Sequence, residues 1–168
     1  MSFYPPDGTL PLPFGDSRHA PIAAEDQARV ITVITVIPVS PAPHAGRVYP
    51  LFGPKELNHY EIAEEMTQAL GRPVTYRLVS LDEFTKELQN RGFGEYTGQH
   101  LRPVASDYVN GVFAGTNDVV KTAGGKEPQT VRECVTRNRK YYEDRSTSDF
   151  WSSAADRPRS TRVLRAQV

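Results

Sequence analysis

Five prolines fall within the first 21 residues, at positions 5, 6, 11, 13 and 21. Proline fixes φ and removes a backbone donor, so this opening cannot be a regular helix or a central strand. A chain that begins this way, with no strand of its own, reads as one that normally follows an earlier structural element. From that constraint comes a small sheet and a mostly helical body.

Helices are easier to place. "AEDQARVITVITVI" spaces Ala28, Ile31, Thr35 and also Val30, Ile34, Ile37 at helical intervals, with Glu25 and Asp26 where a helix dipole favours acids. Its Thr and Val content argues for a strand instead, but length and the acidic start favour a helix. Pro38, Pro41 and Pro43 end it in either case. "RVYPLFGP" (47–54) reads as a short strand and turn.

In the next segment Asn58 and Glu61 have capping-box spacing, Ile62, Met66 and Leu70 form a stripe, and Gly71 can close the helix. "PVTYRLVS" alternates Val74, Tyr76, Leu78 against Thr75, Arg77, Val79 as a strand. Ser80 and Glu83 start another helix that ends near Gly92. A third stretch, from about 99 to 113, carries Leu101, Val104, Tyr108 and Val112 with Ala105 alongside, and Pro103 sits near its start or kinks it. Thr130 and Glu133 cap the last helix, with Val131, Val135, Tyr141 and Tyr142. The expectation is a mixed α/β (α+β) piece, with about five helices on a small sheet. Two recognisable strands are too few for an independent sheet.

Bulk properties exclude several functions. Twenty basic and twenty acidic side chains cancel, which argues against nucleic acid or an anionic membrane as partner. Arg157, Arg159, Arg162 and Arg165 are the one local excess, read as a solvated tail. Cys134 is the single cysteine, so neither an internal disulfide nor a cysteine zinc box is available, and a reduced compartment fits. With no signal-peptide pattern at the start and no apolar run long enough to span a bilayer, a cytoplasmic location is expected.

The chemical motifs are weak. "GFGEYTG" (92–98) places its third glycine one residue late for a dinucleotide loop and follows a helix, so it reads as a helix–helix connection. "AGGKEP" (123–128) has Val120 in place of a glycine, and Glu127 where a phosphate loop needs a hydroxyl. His19, His44, His59 and His100 lack His-x-x-x-His spacing. His44 and His59 read as surface or satisfied side chains, and His19 sits in the opening loop. No Tyr-x-x-x-Lys pair occurs. Asp16, Glu25 and Asp26 are candidate acid–base groups, although the dipole already accounts for the last two.

Taken together, "LPFGDSRHAPIAAEDQARVI", "YPLFGPKELNHYEIAEEMTQALGRPVTYRLVS", "DYVNGVFAGTNDV" and "GKEPQTVRECVTRNR" resemble the C-terminal half of NmrA-like proteins. These are atypical short-chain dehydrogenase/reductase relatives that bind NAD(P). The resemblance spans roughly residues 8–143 and is carried by order and spacing; residues 33–41 look irregular beside it.

The resemblance implies a Rossmann-type nucleotide domain whose glycine-rich part is missing here. That leaves residues 1–143 as the NmrA-like C-terminal domain and 144–168 as a disordered tail. It further implies NAD(P) as the cofactor of the full-length family and none bound by this chain alone. Phe14–Pro21 would pass beside the nicotinamide and substrate cleft, making Phe14, Arg18, His19, Pro21 and Tyr108 substrate-pocket candidates; Arg18 and His19 read equally well as surface loop side chains. No residue is assigned a catalytic or metal-binding role.

Two functional expectations follow. One is the substrate-binding portion of an NAD(P)-dependent oxidoreductase-like protein, inactive alone, taking a small-molecule substrate. The other is a non-catalytic, redox-sensing or regulatory module that binds a protein partner. Loss of a large sheet would leave the Ile62/Met66/Leu70 face or the Ala28/Ile31 face partly uncovered, favouring self-association.

Overall fold

The structure, a computed structural model, describes residues 8–36 and 46–143. Ile37, His44 and the Arg-rich tail fall outside the described residues, as does the expected disorder of that tail. The elements run β1 (Thr9–Leu12), α1 (Ala24–Val36), α2 (His59–Leu70), β2 (Thr75–Leu78), α3 (Leu81–Asn90), α4 (Glu95–Val109), α5 (Val119–Gly124), α6 (Val131–Arg137) and α7 (Lys140–Glu143). The fold is mixed α/β, with a parallel pair of strands and seven helices among the described residues.

The proline-rich opening does carry a strand, which corrects the expectation of none. β1 pairs in parallel with β2, Leu10 opposite Tyr76 and Leu12 opposite Leu78. Thr75 and Val79 donate their N–H groups to the Gly8 and Leu12 carbonyls, so the even positions of β1 face its partner. With the period-2 alternation of a strand, Pro11 and Pro13 then direct their missing donors to the unpaired edge, where proline is tolerated. The expected strand at 47–54 is absent. Pro50 and Pro54 interrupt it, and the segment is tied down by single contacts, such as the Gly53 N–H to the Ala20 carbonyl.

The main core gathers Leu10, Tyr76, Val74, Ala63, Met66, Leu70 and Val135, joining both strands to α2 and α6. Of the two faces expected to lie partly uncovered, that of α2 is the covered one: Met66 and Leu70 are buried in this cluster. A second cluster joins Val79, Phe84 and Leu88 to Leu101 of α4, and Leu12 touches both clusters. Burying such side chains contributes about 1.5–3 kcal/mol each.

α1 presents a different face from the one built on Ala28 and Ile31. Val30 and Asp26 are fully buried, whereas Ala28 is exposed and Ile31 is 56% exposed. α4 begins four residues earlier than its periodicity suggests and ends at Val109, leaving Val112 outside and exposed. Pro103 lies within it. The last helix divides at Asn138 into α6 and α7.

Candidate functional site

The loop after β1 turns back against the start of α2. His19 and Leu57 form an antiparallel bridge, His19 N–H to the Leu57 carbonyl at 3.0 Å and the reverse at 2.8 Å. Asn58 then caps α2 through a complete box with Glu61, which fixes His59 as the first helical residue. That position shares the buried face of α2 with Ala63, Met66 and Leu70, so the His59 ring is carried inward.

A ring cluster results. Phe14 stacks on His59 with centroids 5.1 Å apart and lies 4.4 Å from Tyr108. His19 stands 5.2 Å from His59 and meets Tyr108 edge-on at 5.2 Å. Tyr76 packs on His59 from below at 5.3 Å, and Phe113 closes over Tyr108 at 4.7 Å. Each aromatic pair contributes about 0.5–1.5 kcal/mol beyond its burial.

Both imidazoles have an unmet need. The Nδ1 atoms of His19 and His59 are buried with no hydrogen-bond partner among the described residues. Burial, reinforced by the nearby His19, pushes the His59 imidazole down to about 4, and burial lowers His19 as well. At neutral pH both rings are therefore neutral, each with one N–H and one bare nitrogen. Burial raises the Tyr108 phenol, keeping it protonated too.

Of the five pocket candidates, Phe14, His19 and Tyr108 meet in this cluster. Arg18 serves elsewhere: its Nη2 donates to Glu61 Oε2 at 2.7 Å and to the Glu56 carbonyl at 3.1 Å. Pro21 lies apart, lining a groove of about 360 Å³ with Pro54, Leu57 and Val131; its carbonyl sits where a Cβ on Gly53 would be. A second cleft of similar size lies between Pro11, Val79 and α3. His59, which the sequence presents as a surface or satisfied residue, is instead central, buried and unsatisfied. The signal that could have found it is its spacing, 59–63–66–70, on the apolar face of α2.

The acid–base candidates do not converge. Asp16 and Glu25 are exposed. Asp26 is fully buried, with Oδ1 accepting from Arg29 Nη1 at 2.6 Å and Oδ2 from the Gln129 N–H at 2.6 Å. Burial alone would raise its carboxyl, but those donors hold it below the usual carboxylate range. Arg29 also donates to the Gly124 and Lys126 carbonyls. The "AGGKEP" turn thus presents carbonyl oxygens to a cation, the opposite polarity to a phosphate cradle.

The loop after β1 and the starts of α1, α2 and α3 do not fit a dinucleotide. The loop between β1 and α1 holds a single glycine, Gly15. Acids occupy the first turns of α1 (Glu25 and Asp26), α2 (Glu61) and α3 (Asp82 and Glu83), where they disfavour a pyrophosphate. Among the described residues no group of three or more metal-ligating side chains occurs, and no helix is long and apolar enough to cross a membrane.

No family model matches the chain. It is 25% identical over 126 residues to an NAD(P)H azoreductase of Xenophilus azovorans, covering 75% of this chain and 43% of that protein. An uncharacterized oxidoreductase of Bacillus subtilis is 24% identical over 146 residues, 87% of this chain and 48% of its own length. Among solved structures, an NADPH-dependent quinone oxidoreductase of Escherichia coli superposes with a TM-score of 0.67 at 23% identity, over 79% of this chain and 47% of that one. A triphenylmethane reductase of Citrobacter sp. in complex with NADP(H) gives 0.65 at 18%, over 78% and 44%. The chain spans less than half the length of the curated relatives it matches. Those homologues and fold neighbours include NAD(P)H-dependent reductases, and the likeness to the two solved structures establishes a shared fold over about half of each.

Proposed function

We propose that this chain is the substrate-side portion of an NmrA-like, NAD(P)H-dependent oxidoreductase, with the dinucleotide held by residues other than those described. The observation that carries this reading is the superposition of four-fifths of the chain on about half of a quinone oxidoreductase. The ring cluster of Phe14, His19, His59 and Tyr108 adds a wall suited to a flat acceptor, while the acidic helix starts disfavour a pyrophosphate. The cofactor would supply hydride; the residues of this chain would orient the acceptor and exclude water.

The test compares the 168-residue chain with a fusion that places the nucleotide-binding half of the azoreductase relative ahead of it. Calorimetry should detect no saturable NADPH binding by the chain alone, and NADPH-dependent quinone reduction should appear only in the fusion. Micromolar NADPH binding by the isolated chain would refute the assignment. So would a folded fusion that binds NADPH and reduces nothing. In that last case a regulatory, protein-binding role becomes the better reading.

A further inference from the structure

We propose that His59 and His19 form the hydrogen-bonding floor of a binding site for a flat aromatic carbonyl compound, and that Phe113 occupies the ligand's place when the site is empty. This rests on the reading of the chain as a substrate-side portion and names the groups that recognise the acceptor.

Two Nδ1 atoms lack a partner among the described residues, and each donates when the neutral ring carries its proton there. A buried polar atom without a partner costs about 1–3 kcal/mol, and native proteins rarely leave one without a reason. Here two lie on rings 5.2 Å apart, and one of them, on His59, belongs to a side chain only 6% exposed. Both imidazoles are neutral at pH 7, so what they offer is a directional hydrogen bond and not charge. The adjacent positive charge, Arg18, is already committed to Glu61 and Glu56. The surroundings are flat rings. A planar ligand whose carbonyl oxygen accepts from Nδ1–H satisfies these conditions, whereas a group that needs a cationic partner finds Arg18 already engaged.

The covering element is the segment between α4 and α5. Phe113 lies in it, half-buried, between two glycines with positive φ, Gly111 at 71° and Gly115 at 111°. Such backbone is open to glycine and strained for other residues, so the turn at each end of the segment depends on its glycine. Two bonds latch it. Glu56 Oε1 accepts from the Gly115 N–H at 3.0 Å, and Asn117 Nδ2 donates to the Pro50 carbonyl at 2.9 Å. Arg18 braces the latch through the Glu56 carbonyl. The Phe113 ring rests on Tyr108, where a ligand ring would stack once the segment lifts. Arg18 is thus a positioning residue, and Phe113 sets which ring shapes enter.

The experiment is an NMR titration of the full chain, uniformly labelled with nitrogen-15. Anthraquinone-2-sulfonate is the probe and naphthalene-2-sulfonate the flat, carbonyl-free control. Long-range spectra report the ring nitrogens of each histidine directly. The anthraquinone should shift Nδ1 of His59 and His19 saturably, and the control should not. His59→Phe and His19→Phe keep the ring contacts and delete the nitrogen; each should weaken the anthraquinone at least tenfold, and His59→Phe should also raise the melting temperature, confirming that it folds. Phe113→Ala should bind the anthraquinone several-fold more tightly than the parent chain.

Equal affinity in His59→Phe and the parent would overturn the inference. Shifts confined to the cleft beside α3 would also overturn it, while leaving the substrate-side reading intact. No anthraquinone binding anywhere, in the parent or in Phe113→Ala, would count against both.

Discussion

His59 shows how a single side chain can tie stability to function. Its imidazole is buried, and its proton affinity is lowered from 6.5 to about 4. The unfolded chain therefore binds a proton at a higher pH than the folded one does. Stability from the neutral ring is complete above about pH 6.5 and is lost as the pH falls toward 4. At 1.36 kcal/mol per pKa unit the loss approaches roughly 3 kcal/mol, with His19 adding in the same direction. Urea unfolding followed from pH 7.5 to pH 4 should show that decline, and His59→Phe should flatten it; an unchanged slope in the variant would refute the assignment. At this scale the sequence is partly legible. Phe14, His19 and Tyr108 can be named from it and do meet. His59 escapes because metal spacing is the wrong measure for a lone histidine, whose place on an apolar stripe is what counts. Asp26 reads locally as a complement to the helix dipole, with Arg29 three positions on, but its second partner, Gln129, is 103 positions away and no local pattern reveals it.

Elements whose signals are local are the legible ones. The capping boxes of α2 and α6 are both closed, and Gly71 adopts the left-handed conformation at φ 70°. Ser80 does accept from the Glu83 N–H, but the Glu83 carboxylate turns to Arg77 instead of completing its box. What is not legible is β1, because parallel pairing links positions 66 apart, Thr9 with Thr75, and two prolines disguise the strand. The glycine run at 92–98 reads as a connection, yet half of it is helix. Gly98 is there for close packing, because a Cβ at that position would collide with Thr85 Cγ2 on α3. Gly98→Val should thus force α3 from α4, although valine is the better helix former. A destabilisation of about 1–3 kcal/mol by thermal or chemical melting is expected. A neutral or stabilising outcome would mean that α4 is not held against α3 as described.

For the whole molecule, what matters is which surfaces are finished and which are not. α2 and α6 cover one face of the sheet, burying Leu10 and Tyr76, while Leu78 of β2 is 54% exposed. α1 is different: it packs against α5, and beyond Val30 it turns Ile31, 56% exposed, and Val33, 37% exposed, toward solvent. Exposed apolar side chains of this kind, on a chain spanning less than half the length of its curated relatives, are ones that another protein surface can cover. With no net charge to hold copies apart, the isolated chain is expected to self-associate through α1. Sedimentation velocity across a hundredfold range of concentration should show a rising mean mass, strengthened by sulfate, which favours apolar burial. Ile31→Lys with Val33→Lys should abolish the rise while leaving the circular dichroism spectrum and the His59 ring signals unchanged. A wild-type chain that stays monomeric at high concentration in sulfate would show that the exposed apolar side chains of α1 are tolerated in water.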